Sequence, residues 1–589
     1  MATLAGTKGV IPIIPEETDE FERETKRFRA GEWDPNRFIA WRVMRGVYGQ
    51  RQLDAQMFRV KIPYGGLTAE QIEALGIIAR DIAPLKKGHF TTRENMQFHH
   101  ITLEETARAM GILAEVGLTG RESGGNSVRN VTGCPLAGVC SDEIFDVTPY
   151  AAAFTRHFVR HPMAQKLPRK FKTTFSGCVR DCAMTGINDI GFIPVVKNGQ
   201  RGFKMVVGGG LSIMPRVAPT LYEFVSVDDY LRTSEAVVRI FDRCDELRKN
   251  KMKARLKFYV DRIGIDEFRQ QVEEELKQEW AQVSFDPTPL LYVDEEEQDA
   301  PNPATFGNGS REPNGHKDQE FQGWFHSNVS PQRQPGYNAV LIKVPLGDVA
   351  ADQFPVLADI ARKYAGGRAR TTHHQNLMLR WVPDSALYEV WKDLGSIGMG
   401  EAGADGISDV TSCPGTDSCK LGITSSMGLG WELRKTVMQL SNSDPLVRDV
   451  RIKISGCPNS CGQHHIAPIG FHGRSMKGPN EHQVPAYEMF IGGACGAGDT
   501  RIGQRLAAKI PAKRVPQALL GVLDFYKRER QDGEEFNRFV DRVGFKPFEE
   551  IASRFKEVGP LGRDTIDLYT DWARTVLYKV ERGEGECSV

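Results

Sequence analysis

Apolar positions along the chain change period in a fixed order, and they do so twice. At 57–63 and again at 339–345 they alternate, the two-residue period of a strand. Over about 68–82 and 350–364 they recur every three to four residues, which predicts amphipathic helices. Short strand patterns follow at 96–103 and 376–381, then helical patterns at about 104–116 and 384–396. Each series continues into a cysteine-bearing loop, a helix (about 147–160 and 431–440), a strand leading into a second cysteine pair, and a glycine-rich strand end. Charged helices close each series. The expected class is α/β.

The two series are copies. "RVKIPYGGLTAEQIEALGIIARDI" from Arg59 resembles "LIKVPLGDVAADQFPVLADIARKY" from Leu341, with Lys61 and Lys343 in register 282 residues apart. "VRNVTGCPLAGVC" matches "ISDVTSCPGTDSC" at an offset of 279, and "YVDRIG" matches "FVDRVG" at 280. An offset held that closely over nearly 200 positions marks an internal duplication. The implied organisation is an extension at 1–40, a small unit at 41–125 and a larger α/β unit at 126–284. A linker at 285–336 leads to a second small unit at 337–405, a second large unit at 406–560 and a tail at 561–589. The linker is rich in Pro, Asn, Gly and acid, which predicts a surface connection between the halves.

Composition narrows the function classes. Across 589 residues, 76 Lys and Arg balance 76 Asp and Glu, so the whole chain advertises neither nucleic acid nor an anionic membrane. No apolar run approaches the roughly 18 residues of a membrane span, and the N-terminal stretch lacks a signal-peptide pattern, so a cytoplasmic monomer is expected. In a reducing compartment, eleven cysteines suit metals or catalysis better than disulfides.

Eight of them form two quartets of identical spacing, C-x5-C-x37-C-x3-C: Cys134, Cys140, Cys178 and Cys182, then Cys413, Cys419, Cys457 and Cys461. Four thiolates in Gly/Pro loops are what a [4Fe–4S] cluster needs, with backbone N–H groups free to turn toward its sulfides. A structural zinc site is the alternative, for which x5 is a loose spacing.

In these motifs the chain resembles the sirohaem-dependent sulfite and nitrite reductases over roughly residues 35–560. The resemblance implies a duplicated fold with two ferredoxin-like, parachute-like units and two sirohaem-binding α/β units. It implies a [4Fe–4S] cluster on Cys413, Cys419, Cys457 and Cys461, with Cys461 also bridging to the sirohaem iron. The activity implied is six-electron reduction of sulfite to sulfide or of nitrite to ammonia. By the same resemblance the oxyanion is held by Arg93, Arg129, Lys170 and Lys172, all in the first half, while Arg45, Gln50 and Arg51 lie near the macrocycle. On a strand Lys170 and Lys172 share a face, which suits clamping one anion.

The duplication permits an internal test. Shifted through the cysteine frame, Arg129 becomes Ser408, Lys170 becomes Asp449 and Lys172 becomes Arg451, while Arg93 shifted by 280 becomes His373. Only one side offers four cations, so one productive sirohaem is expected, on the Cys461 side. The first quartet is then left for a second cluster, a silent sirohaem, zinc or nothing. By the resemblance, Lys172 stands where sulfite reductases carry lysine and nitrite reductases asparagine, which favours sulfite, a dianion, over nitrite. His99 and His100 read as strand or core residues. No G-x-G-x-x-G opens a helix, so no flavin or nicotinamide site is expected and electrons come from a separate carrier, ferredoxin. A non-catalytic iron–sulfur carrier is the rival from another class.

Overall fold

The computed structural model describes residues 9–306, 318–438, 440, 444–496 and 499–586. Among these residues twenty strands form four five-stranded sheets, two small and two large.

The small sheets are completed by exchange. In the first, Gln56–Val60, Met96–Ile101 and Lys87–Phe90 lie antiparallel, with Val47–Gly49 on one edge. Its other edge is Asp348–Ala350, from the second half of the chain. In the second sheet, Tyr337–Ile342, Leu377–Pro383 and Arg368–Thr371 are flanked by Val329–Pro331 and by Gly66–Thr68 from the first half. Each half thus covers the edge its twin would leave open. These exchange strands are three residues each, too short to show a period in the sequence. Behind them a single core joins both halves, with Ile72, Leu75 and Phe98 in one cluster with Phe354, Leu357 and Leu379.

The helical periods fall where expected. Thr68 and Gln71 form a reciprocal capping box that starts Ala69–Ile77, which ends in a π turn, Ile78–Ile82. The helix expected at 431–440 starts earlier, as Ser426–Val437, because the Ser425 side chain caps it by accepting from Gly428 N.

The large sheets carry the cysteines. Val128–Gly133, Phe171–Phe175 and Ile190–Lys197 run parallel, followed by two antiparallel strands, Gln200–Val207 and Thr220–Ser226. The second sheet repeats this with Thr411–Ser412, Ile452–Ser455 and Ile469–Lys477, then Gln483–Ile491 and Gln504–Pro511. Cys134 and Cys413 directly follow the first parallel strand of each sheet, and Cys178 and Cys457 soon follow the second. All four loops therefore sit at the carboxyl ends of parallel strands, where an open α/β sheet leaves a crevice.

The linker is less superficial than its composition predicts. Arg156 donates to the carbonyls of Leu290 and Leu291, and Glu296 is buried between Arg370 and Arg380. The tail also wraps inward: Glu586 is buried against Arg42 and Lys420. Among the described residues no helix is long and apolar enough to cross a membrane.

Candidate active site

The later quartet converges on one point. Gly456 N–H donates to Cys413 Sγ at 3.2 Å. Cys457 is buried, and burial together with the charges of Cys461, Cys413 and Cys419 raises its thiol well above the usual range. The Cys461 loop depends on a close backbone approach, since a Cβ on Gly462 would sit 1.8 Å from the Ile454 carbonyl oxygen. Ser460 and Gln463 both adopt left-handed φ, turning the loop back toward its strand. The sole grouping of three possible ligand atoms within 4.8 Å, among the described residues, is His157, His161 and Glu235. No three of the cysteine sulfurs all lie within that distance of one another, whereas thiolates on one zinc ion lie about 3.8 Å apart. The spacing suits a cluster that separates its thiolates.

First-half residues reach over this loop. Thr92 Oγ1 donates to the Cys461 carbonyl at 2.8 Å, and Ser212 Oγ lies 3.4 Å from Asn459 Oδ1. Beside them lie the expected cations. Arg93 donates to Asn188 Oδ1 (2.8 Å) and the Asn130 carbonyl (2.6 Å). Buried Arg129 donates to the carbonyls of Gly125 (2.8 Å) and Ser123 (3.1 Å). Carbonyls orient a guanidinium without cancelling its charge. Burial, with Arg129 and Arg255 adding like charge, pushes Arg93 down to about 10. Lys172 is driven well below the usual lysine range by burial, then by Arg93, Arg255 and Lys170; the Cys461 thiol acts on it in the opposite sense. Arg93, Lys170, Lys172 and Cys461 therefore share one electrostatic site across the duplication, with Arg129 next to Arg93.

Arg51 acts on the later cysteine loop itself, and Gln50 holds the strand beside it. Arg51 N–H donates to the Ser418 carbonyl (3.0 Å) and its guanidinium to the Gly422 carbonyl (2.8 Å), bracketing Cys419. Gln50 Oε1 accepts from His100 N at 2.8 Å. Arg45 is not brought to this loop. Its guanidinium stacks on Trp41 at 3.8 Å and pairs with Glu20 at 2.6 Å, so its charge is already answered by the N-terminal helix. His99 and His100 lie on Met96–Ile101, and burial pushes His99 down to about 3, a neutral core imidazole.

Comparison with known proteins decides the family. The family model for the nitrite and sulphite reductase 4Fe-4S domain matches residues 124–280 and 403–558. The ferredoxin-like half domain of the same family matches residues 48–116 and 330–397. The chain belongs to the nitrite and sulphite reductase family. It is similar to a ferredoxin–nitrite reductase of Synechococcus elongatus (30% identity, 79% of this chain and 85% of that one). It is equally similar to a ferredoxin sulfite reductase of Mycolicibacterium paratuberculosis (30% identity, 83% and 82%). The solved structure of the Mycobacterium tuberculosis NirA protein matches with a TM-score of 0.74 and 26% identity, covering 91% of this chain and 98% of that one. The chain is thus an oxidoreductase of a ferredoxin-dependent reductase family, built on a duplicated α/β fold.

Within this reductase the twin pocket is neutralised. Structural register also corrects one pairing. Glu94 and Gln375 both have positive φ, and they accept from Gly133 N (3.0 Å) and Ser412 N (2.8 Å) respectively. That places Arg93 opposite His374; His373 instead faces Glu94 at 2.9 Å. His374 Nδ1 lies 3.0 Å from Asp405 Oδ1, and its Nε2 lies 3.2 Å from Arg451 Nη1. Burial pushes His374 down to about 3, so a neutral imidazole donates to Asp405 and accepts from Arg451. The twin cation Arg451 is hydrogen-bonded to an acid, whereas Arg93 and Arg129 donate to carbonyl and amide oxygens, with Glu94 and Asp189 close enough to Arg93 to act on its charge.

Three contributors escaped the sequence reading. Arg255 pairs with Asp189 (2.6 Å), which also accepts from Lys172 N (2.8 Å), and Asn188 positions Arg93. All three lie in loops or helix starts with no motif of their own.

Proposed function

We propose that the protein reduces sulfite to sulfide, SO₃²⁻ + 6e⁻ + 6H⁺ → S²⁻ + 3H₂O, with electrons delivered by reduced ferredoxin. The carrying observation is a set of cations, buried Arg129 with half-buried Arg93 and Lys172, facing Cys461 from the other half of the chain. Cys413, Cys419, Cys457 and Cys461 would hold a [4Fe–4S] cluster, and Cys461 would also ligate a sirohaem. The donor set fits: thiolates for iron on one side, and on the other cations that suit both a carboxylate-rich macrocycle and an oxyanion. When bound, these groups supply electrons at the substrate atom. The names of the ferredoxin-linked relatives support the donor.

The chain's own residues bind, orient and protonate. Arg93 and Arg129 are fixed by carbonyls before substrate arrives, so anion binding needs little reorganisation. Lys172 carries a proton it holds weakly, because burial and three like charges oppose its ammonium. A bound dianion offsets those charges, and as oxygen leaves as water the proton passes from Lys172 Nζ to it. Four cations suit a dianion better than a monoanion.

The second reading is nitrite to ammonia, NO₂⁻ + 6e⁻ + 8H⁺ → NH₄⁺ + 2H₂O, favoured by the names of several relatives, among them the spinach and Synechococcus elongatus enzymes. Steady-state rates with both anions and reduced ferredoxin separate the two. Under the sulfite reading kcat/KM is higher for sulfite, and Lys172→Asn lowers it about tenfold more for sulfite than for nitrite, a difference of about 1.4 kcal/mol. Equal losses, or a native preference for nitrite, overturn the sulfite reading.

A further inference from the structure

The first quartet stands outside the site just described, yet the protein builds it with the same apparatus. Cys134 shares a hydrogen bond with Cys182 and lies within electrostatic reach of Cys140. Cys178 in turn interacts with Cys182 and Cys140, so all four thiols meet at one point. Their loops share backbone bonds and turns with the later ones. Cys134 N donates to the Phe175 carbonyl (3.0 Å) as Cys413 N does to that of Ile454 (3.3 Å). Asp181 and Met184 repeat the left-handed φ of Ser460 and Gln463.

The bracket around the loop is also duplicated, and it crosses in the opposite sense. "GQRQ" ending at Gln52 recurs as "PQRQ" ending at Gln334. Arg51 N and Gln52 Nε2 of the first half donate to the carbonyls of Ser418 (3.0 Å) and Asp417 (2.8 Å) in the later loop. Arg333 N and Gln334 Nε2 of the second half donate to the carbonyls of Val139 (2.9 Å) and Gly138 (3.1 Å) in the earlier loop. Arg180, which also pairs with Asp142, lies 3.7 Å from Cys140 Sγ and can donate to it. Simple buried cysteines would need neither four convergent thiols nor a clamp from the other half.

What the twin lacks is the anion pocket. Opposite Cys182 the Arg93 position is a neutral His374, the Arg129 position is Ser408, and Arg451 is engaged by His374 and the Asp405 carboxylate. We propose that Cys134, Cys140, Cys178 and Cys182 bind a second [4Fe–4S] cluster that faces no substrate pocket and holds an electron without touching the oxyanion. The proposal does not depend on which anion the Cys461 side reduces.

The test is metal analysis of the purified holoenzyme. Two clusters and one sirohaem give about nine irons and about eight acid-labile sulfides per chain, against about five and four for one cluster. Cys178→Ser should take iron from about nine to about five while the sirohaem Soret band keeps its intensity per chain. If that variant fails to fold, the native protein still decides. After dithionite reduction, electron paramagnetic resonance should show an isolated reduced-cluster signal integrating to about one spin per chain. Five irons and four sulfides in the native holoenzyme, or one zinc ion beside them, overturn the proposal. Eight sulfides with no Soret band would leave this proposal standing and overturn the functional one, so the two fail separately.

Discussion

The two cysteine sites of this chain differ less in their sulfurs than in what faces them. Spacing, strand ends, loop φ angles and the crossing clamp are shared. The difference lies across the crevice. On the Cys461 side, Arg93 and Arg129 donate to neutral carbonyls and keep their charge available. On the Cys182 side, Arg451 and His374 run into Asp405. Gathering four cations against few acids costs stability, and a protein retains such an arrangement where charge has work to do. Duplication copied the cysteine scaffold, and on the reading proposed above the charge missing on one side would separate electron storage from oxyanion chemistry.

The sharpest way to break the comparison is to remove the last cysteine of each quartet. We expect Cys461→Ser to bring ferredoxin-linked turnover to background, and Cys182→Ser to lower it by less than about tenfold. Equal losses in two folded variants would show that both sides serve the substrate. A milder contrast sits opposite the sulfurs. Arg93→Ala should lower kcat about 10²-fold, the usual scale for one preorganised charged donor, whereas His374→Ala should change it by less than about threefold. The reverse order would mean that the sites have been assigned to the wrong halves.

Much of this was legible in the sequence because duplication makes a chain its own comparison. The quartets, Arg129, Lys172 and their twins Ser408 and Arg451 could be aligned by cysteine spacing alone. The twin of Arg93 could not, because an extra residue enters near that turn and only the positive φ of Glu94 and Gln375 fixes the register. The exchange strands Gly66–Thr68 and Asp348–Ala350 left no period to read. The "QRQ" clamp was visible in sequence, but its meaning was not, since its partners are carbonyls some 365 residues away. The pairing of Arg45 with Glu20 was not legible, because Glu20 is close to it in space but 25 residues away in sequence.

The smallest contrast concerns two buried glutamates that strap the segments following each half. Glu296 lies between Arg370 and Arg380, whose guanidinium also donates to the Ala137 carbonyl in the earlier cysteine loop. Glu586 joins Arg42 to Lys420, next to Cys419 in the later loop. Burial would raise both acids, but the paired cations outweigh it, and Glu296 is held down to about 2. A carboxylate depressed in this way lends stability that is complete above its unfolded value of about 4.3 and is lost as acid protonates the folded protein toward pH 2. Glu296→Gln should therefore cost about 3 kcal/mol in urea unfolding at pH 7. That penalty should shrink steadily below about pH 4.5. Glu586→Gln should show the same sign and pH trend, but it alone should also slow turnover, because its strap ends on the loop of the catalytic cluster. A penalty that is unchanged between pH 7 and pH 3 would mean that the straps stabilise by packing and that their charge is incidental.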